Sequence, residues 1–203
     1  MDISKSIKLA EKKLQELDPK LGGLIKHQKR MEHRPPDNYF FSLSRSIVSQ
    51  QVSVASAAAI FRRLESETKM LPAAVVSLND EQVKKIGLSR QKAAYLHDLA
   101  QHFVDDPALY NHLEKCSDNE VIEQLTAVKG IGAWTAQMFL MFTLSRLDIF
   151  APDDVGLQRA MIRLYGWKKL PPKRKLEQIA NKWRPYRTVA CWHLWQSLKN
   201  LPV

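Results

Sequence analysis

Glycine is scarce in this sequence: seven in 203 residues, about half the usual share of roughly 7%. So few glycines allow few tight turns, which argues against a barrel or sandwich and for helices. Cysteine is scarcer still. Cys116 and Cys191 are the only two, too few for a disulfide scaffold or a four-cysteine metal cluster, and the pattern suits a reduced, intracellular protein. The N-terminus, Met-Asp-Ile-Ser-Lys-Ser, has no apolar stretch behind a basic start, so no secretory signal is expected. The most apolar segment, Trp134 to Leu144, is far shorter than the roughly 20 residues that span a membrane. Strand signals are missing: there is no alternating β-branched run and no Asn-Gly or Asp-Gly hairpin. The six histidines (His27, His33, His97, His102, His112 and His193) show neither an HExxH motif nor Cys-His spacing, so no metal site is expected. A P-loop, a G-x-S-x-G elbow and a dinucleotide fingerprint are absent too.

What is present is positive charge, 31 Lys+Arg against 21 Asp+Glu for a net +10, with 45% hydrophobic residues to build a core. The charge is concentrated. Between Arg159 and Arg187 stand Arg159, Arg163, Lys168, Lys169, Lys173, Arg174, Lys175, Lys182, Arg184 and Arg187, opposed within that window only by Glu177. A charge run is most often a solvated helix face. Here Tyr165, Trp167, Trp183 and Tyr186 are interleaved with it, the composition of a phosphate-binding face.

Helical periodicity runs through the chain. Ile7, Ala10, Leu14 and Leu17 make one stripe of a helix over 3–17, Pro35-Pro36 breaks the chain, and Asp37 or Asn38 caps a helix to about Ser49. Ser53 caps the next, with Ala57, Ile60, Phe61 and Leu64 inward. Residues 71–86 read as two short helices, broken by Pro72 and capped near Asn79 or Asp80. Ser89 caps a helix carrying Ala93, Leu96, Leu99, Ala100 and Phe103, and Ser117 or Asp118 caps another to Ala127. Helices are expected over 133–144, from Pro152 to about Leu164, over 174–181 and over 185–199. The fold class is therefore all-α, with about ten short helices. The expected arrangement is a single domain over 1–203 of two lobes flanking a cleft: 37–140, with a hairpin at 118–136, and 1–36 plus 141–203.

The segment Val121 to Ala136 reads V-I-E-Q-L-T-A-V-K-G-I-G-A-W-T-A: helix, a turn with Gly130 and Gly132 around Ile131, then helix. Two glycines let backbone N–H groups point outward together at a helix start, which binds phosphate without side chains. An ordinary helical hairpin would look the same locally. Three further strings extend the pattern: S-Q-Q-V-S at Ser49–Ser53, F-A-P-D-D-V-G at Phe150–Gly156, and W-R-P-Y-R-T-V-A-C-W-H-L-W at Trp183–Trp195. In order, the four strings run from Ser49 to Trp195. They resemble the helix-hairpin-helix DNA glycosylase superfamily, and within it the alkylated-base branch (3-methyladenine DNA glycosylase II) in its compact, yeast-type form without an N-terminal β domain.

The resemblance implies roles. Asp154, 22 residues beyond Gly132, would be the catalytic carboxylate. Trp134, Trp195 and Met138 would line the base pocket. Gln51 would fill the gap left by a flipped base. Lys129, Gly130, Ile131, Gly132, Thr135 and Arg159 would contact DNA, with Ile131 packed between the hairpin helices. Relatives that also nick the strand carry a Schiff-base lysine where this chain has Trp134, which implies a monofunctional enzyme without lyase chemistry. The iron–sulfur cluster of some relatives needs four cysteines, so no cofactor is implied beyond a monovalent cation at the hairpin. Each residue also has a plainer reading. Asp154 could simply cap a helix, although Asp153 is the better candidate for that. Trp134 could be core, Trp195 could pack beside Trp192, and Gln51 could be an exposed neighbour of a helix cap.

The chain departs from the family in two places. The hairpin reads Val128-Lys129-Gly130 where many relatives have Leu-Pro-Gly, and Met138 stands where some carry a second aromatic. The partner implied is double-stranded DNA containing alkylated bases, acted on by a monomer away from membranes, in the cytoplasm or nucleoid of a prokaryote or the nucleus of a eukaryote. The function implied is hydrolytic excision of N-alkylated purines such as 3-methyladenine and 7-methylguanine in base excision repair. The alternatives are a glycosylase for deaminated or oxidised bases, and a non-catalytic helix-hairpin-helix DNA-binding protein.

Overall fold

The computed structural model describes residues 2–32 and 38–199. Pro35-Pro36, Asp37 and His33 lie outside them. Thirteen α-helices are seen among the described residues, with two 3₁₀ turns and no strand: α1 (Ile3–Leu17), α2 (Pro19–Lys26), α3 (Tyr39–Ser49), α4 (Val54–Thr68), α5 (Pro72–Val76), α6 (Asp80–Ile86), α7 (Arg90–Asp105), α8 (Pro107–Tyr110), α9 (Asp118–Ala127), α10 (Ala133–Phe142), α11 (Val155–Tyr165), α12 (Lys173–Ala180) and α13 (Arg187–Lys199). None is long and apolar enough to cross a membrane. The chain divides into two compact units, one from Met1–Arg34 with Leu140–Val203 and the other from Pro35–Phe139.

Most helices start where a side chain satisfies an orphan backbone N–H. Asn38 accepts from Phe41, Ser53 from Ser56 and Ser89 from Lys92. Asn79 with Gln82, and Ser117 with Glu120, form complete capping boxes. α2 adds to the expected helices, and α11 starts later than expected. Gly22-Gly23 lies inside α2, because a Cβ at Gly22 would stand 2.8 Å from the Gln15 backbone; the glycine lets α2 pack closely on α1. Pro152 does not open α11, which begins at Val155. Leu17, expected on the buried stripe of α1, is exposed, whereas Ile7, Ala10 and Leu14 are buried.

In the 35–139 unit, α7 is central. Its Leu96, Leu99, Ala100 and Phe103 are buried, as are Phe40, Leu43 and Ile47 of α3. Phe40 and Phe103 meet edge to face at 5.3 Å, and Phe103 contacts Tyr110 at 5.1 Å.

The other unit is organised around buried carboxylates. Asp18, between α1 and α2, accepts from the amides of Lys20 and Leu21, from the Trp183 indole N–H at 3.0 Å and from the Tyr165 hydroxyl. Burial alone would raise its pKa, but the donors Tyr165, Trp183, Leu21 and Lys20 together hold it below the usual aspartate range. Glu11 gathers Arg30 Nε at 2.9 Å, the Met31 amide at 3.1 Å and His193 Nε2 at 3.3 Å.

A depressed native pKa stabilises the fold above the unfolded value, and that contribution is lost as pH falls through the native pKa. Asp18→Asn is expected to cost about 2–3 kcal/mol near pH 7, the range of a charge-assisted buried network. The deficit relative to wild type should shrink below about pH 4, where the unfolded aspartate protonates. Urea titrations at both pH values measure it; an equal deficit at both would contradict this role for Asp18.

Candidate active site

In the 35–139 unit the hairpin is built by α9, a turn over 128–132, and α10. The turn closes with the Ile131 amide donating to Val128 O at 3.1 Å, and α10 begins with Ala136 N donating to Gly132 O at 3.1 Å. Ile131 is buried. The two glycines are not equivalent. Gly130 has φ +82°, and a Cβ there would lie 2.2 Å from the ring of Tyr95, so both backbone and packing demand glycine. At Gly132 φ is not left-handed, and a Cβ would meet nothing within 4 Å. Its bareness leaves room for something outside the chain.

α7 holds this turn in place. Asp98 accepts from the Lys129 amide at 2.8 Å and from its ammonium at 2.9 Å. Burial raises the Asp98 pKa, but the Lys129 amide and ammonium, helped by His102, bring the carboxyl below its ordinary value. The Lys129 charge is therefore already shared with a carboxylate. Gln50 Nε2 donates to Gly130 O at 2.9 Å. The adjacent Gln51 is exposed, with a left-handed backbone at φ +55°.

Trp134 at the head of α10 is 51% exposed, which excludes the core reading. Met138, one turn on, is half-buried. Thr135 is buried, so its side chain is not an open surface contact.

In the other unit, Asp154 caps α11 and is only 8% exposed. One oxygen, Oδ1, accepts from the Leu157 amide at 2.6 Å and from the Trp195 indole N–H at 2.9 Å. Gly156 fits underneath, where a Cβ would lie 3.0 Å from that oxygen and 3.1 Å from the indole ring. Trp195 is half-buried, and its ring lies 5.9 Å from that of Phe142. Burial foremost pushes the Cys191 thiol pKa up, so the cysteine is inert as a nucleophile.

Asp153 is not the cap. It is exposed and ion-paired with Lys173 at 2.6 Å. The helix begins at Val155, three residues beyond Pro152, so the capping role falls to Asp154 itself.

The basic window is also weaker than its formal charge. Asp148, just outside it, binds Arg184 at 2.9 Å and Arg187 through two oxygens at 2.7 and 3.1 Å. Trp183 and Tyr165, counted as interleaved aromatics, are partners of Asp18. Arg159 remains exposed on α11.

A left-handed glycine hairpin, followed 22 residues on by a buried, doubly held aspartate, defines a class. The chain belongs to the HhH-GPD superfamily of base excision DNA repair proteins, whose pattern matches residues 44–185. Among its relatives is the alkylbase DNA glycosidase-like protein mag2 of Schizosaccharomyces pombe, 29% identical over 93% of this chain and 92% of that protein. Among solved structures it is similar to a DNA-3-methyladenine glycosidase from Bacillus halodurans, with TM-score 0.85, 36% identity and coverage of 94% of this chain and 89% of that one. It is also similar to the Schizosaccharomyces pombe 3-methyladenine DNA glycosylase in complex with abasic DNA, with TM-score 0.80, 30% identity and coverage of 94% and 96%.

Sequence reasoning missed Gln50, Tyr95, Asp98 and Gly156. Gly156 is the one with a visible signal, a glycine in the first turn of a helix two residues after the key aspartate.

Gly130→Ala is expected to cost about 2–4 kcal/mol, from a left-handed alanine and the Tyr95 clash together. Gly132→Ala should change stability by no more than about 1 kcal/mol yet weaken binding to duplex DNA. Thermal unfolding and fluorescence anisotropy separate the two. Equal destabilisation by both variants would refute the distinction.

Proposed function

We propose that this chain is a monofunctional DNA glycosylase that excises N-alkylated purines, 3-methyladenine and 7-methylguanine among them, in base excision repair. The observation that carries this reading is Asp154: a buried carboxylate held by the Leu157 amide and the Trp195 indole at the head of α11, in a chain of the base excision repair superfamily.

The target base must leave the duplex stack, which costs a few kcal/mol and less for a damaged pair. Backbone groups of the Gly130–Gly132 turn hold phosphate, aided by Arg159 and the basic stretch beyond it. Gln51 fills the vacated space. Trp195, hydrogen-bonded to Asp154, offers an aromatic face to the base. An N3- or N7-alkylated purine is cationic, and such a face attracts it by about 0.5–2 kcal/mol.

The same positive charge weakens the glycosidic bond. As the bond breaks, its electron pair goes to the base, which leaves neutral. The sugar becomes oxocarbenium-like, and the Asp154 carboxylate stabilises that charge and orients the water that adds to the anomeric carbon. Trp134 replaces the lysine of strand-nicking relatives, so the abasic product stays uncleaved. The enzyme works where the genome lies, in a nucleoid or a nucleus.

Asp154→Asn is expected to keep the fold and DNA binding while slowing release of alkylated base from methylated duplex by at least about 100-fold, or about 2.7 kcal/mol of barrier. Wild-type product strands should break only after alkali or an abasic-site endonuclease. Near-normal excision by the variant, or spontaneous nicking by the wild type, would overturn the respective part of the reading.

A further inference from the structure

Gln51 has a backbone that non-glycine residues avoid, φ +55°. It persists only if its surroundings hold it there. Two side chains make hydrogen bonds on either side of it. Lys92, on α7, donates its ammonium to Val48 O at 2.6 Å, capping one of the last carbonyls of α3 just before the turn. Gln50 donates its side-chain amide to Gly130 O at 2.9 Å, across 80 residues of sequence. The same α7 holds the hairpin through Tyr95 against Gly130 and Asp98 on Lys129. Gln50, Gln51, Lys92, Tyr95 and Gly130 line one groove of about 360 Å³.

We propose that Gln50 and Lys92 are positioning residues: they lock the left-handed turn at Gln51 to the hairpin, so that insertion of the Gln51 side chain and the hairpin's grip on phosphate occur in one fixed register. The proposal rests on the reading of Gln51 as the gap-filling residue. Neither positioning residue needs to touch the DNA. Gln50 acts through Gln51 because its own amide is committed to Gly130. Lys92 acts because it caps the helix end from which the turn departs.

The test is a double-mutant cycle on the Kd for a duplex carrying a tetrahydrofuran abasic-site analogue, with 2-aminopurine opposite the gap to report insertion. Gln51→Ala is expected to weaken binding about tenfold and abolish the 2-aminopurine response. Gln50→Ala should do much the same. The double variant should lose about tenfold as well, not the hundredfold that independent residues give. Lys92→Met, which keeps the aliphatic stem, should behave like Gln50→Ala and serves if the latter folds poorly.

Multiplicative losses would overturn the proposal, as would an unchanged Kd in Gln50→Ala and Lys92→Met, or no effect of Gln51→Ala. The cycle requires no base excision. A wild type that binds the analogue but releases no alkylated base therefore counts against the proposed activity while the coupling is still measured. A wild type that does not bind overturns both.

Discussion

The ring of Tyr95 fills the space that a side chain on Gly130 would need, and the hairpin owes its shape to that contact. Interiors are close-packed, so a half-buried ring on a helix anchored by its apolar face acts as a template for the loop pressed against it. α7 supplies Tyr95, and three residues either side of it the same helix supplies Lys92, which holds the end of α3, and Asp98, which holds Lys129. Those residues lie near one face, and the face below them is the apolar core of the unit. The hairpin turn is thus held against the outer side of a packed helix and is not an independent loop.

The second unit uses a different device. Asp18 collects two backbone amides, an indole and a phenol in one place. A buried carboxylate is tolerated only when its lone pairs are satisfied, and here the satisfaction comes from α2, α11 and the turn at Trp183. Asp154 is a smaller version of the same arrangement, with a helix N-terminus and an indole as donors. In both cases a tryptophan N–H fixes the position of an acid. Trp183 is fully buried while Trp195 is half-exposed, so one acid is structural and the other has an aromatic neighbour at the surface.

Local chemistry was legible in the sequence and remote contact was not. Helix starts at Ser53, Asn79, Ser89 and Ser117 could be read because a cap and the N–H it satisfies lie within three residues of each other. The hairpin could be read because two glycines around an apolar residue, between two helical runs, are themselves a pattern. Tyr95 against Gly130, Lys129 with Asp98 across 31 residues, and Gln50 with Gly130 across 80 leave no local trace. Asp153 and Asp154 were exchanged as caps because proline normally marks the first helical residue, and here it does not.

The pairing of Asp148 with Arg184 and Arg187, and of Asp153 with Lys173, bears on how this protein finds its target. The two carboxylates Asp148 and Asp153 offset two of the ten positive charges between Arg159 and Arg187, so the stretch brings eight rather than ten to the displacement of counterions from a duplex. The stretch therefore gives the molecule's hold on DNA a weaker ionic-strength dependence than its ten cations alone suggest. Lower non-specific retention shortens each stay on undamaged sequence, which suits a protein that must sample many base pairs for every lesion it meets.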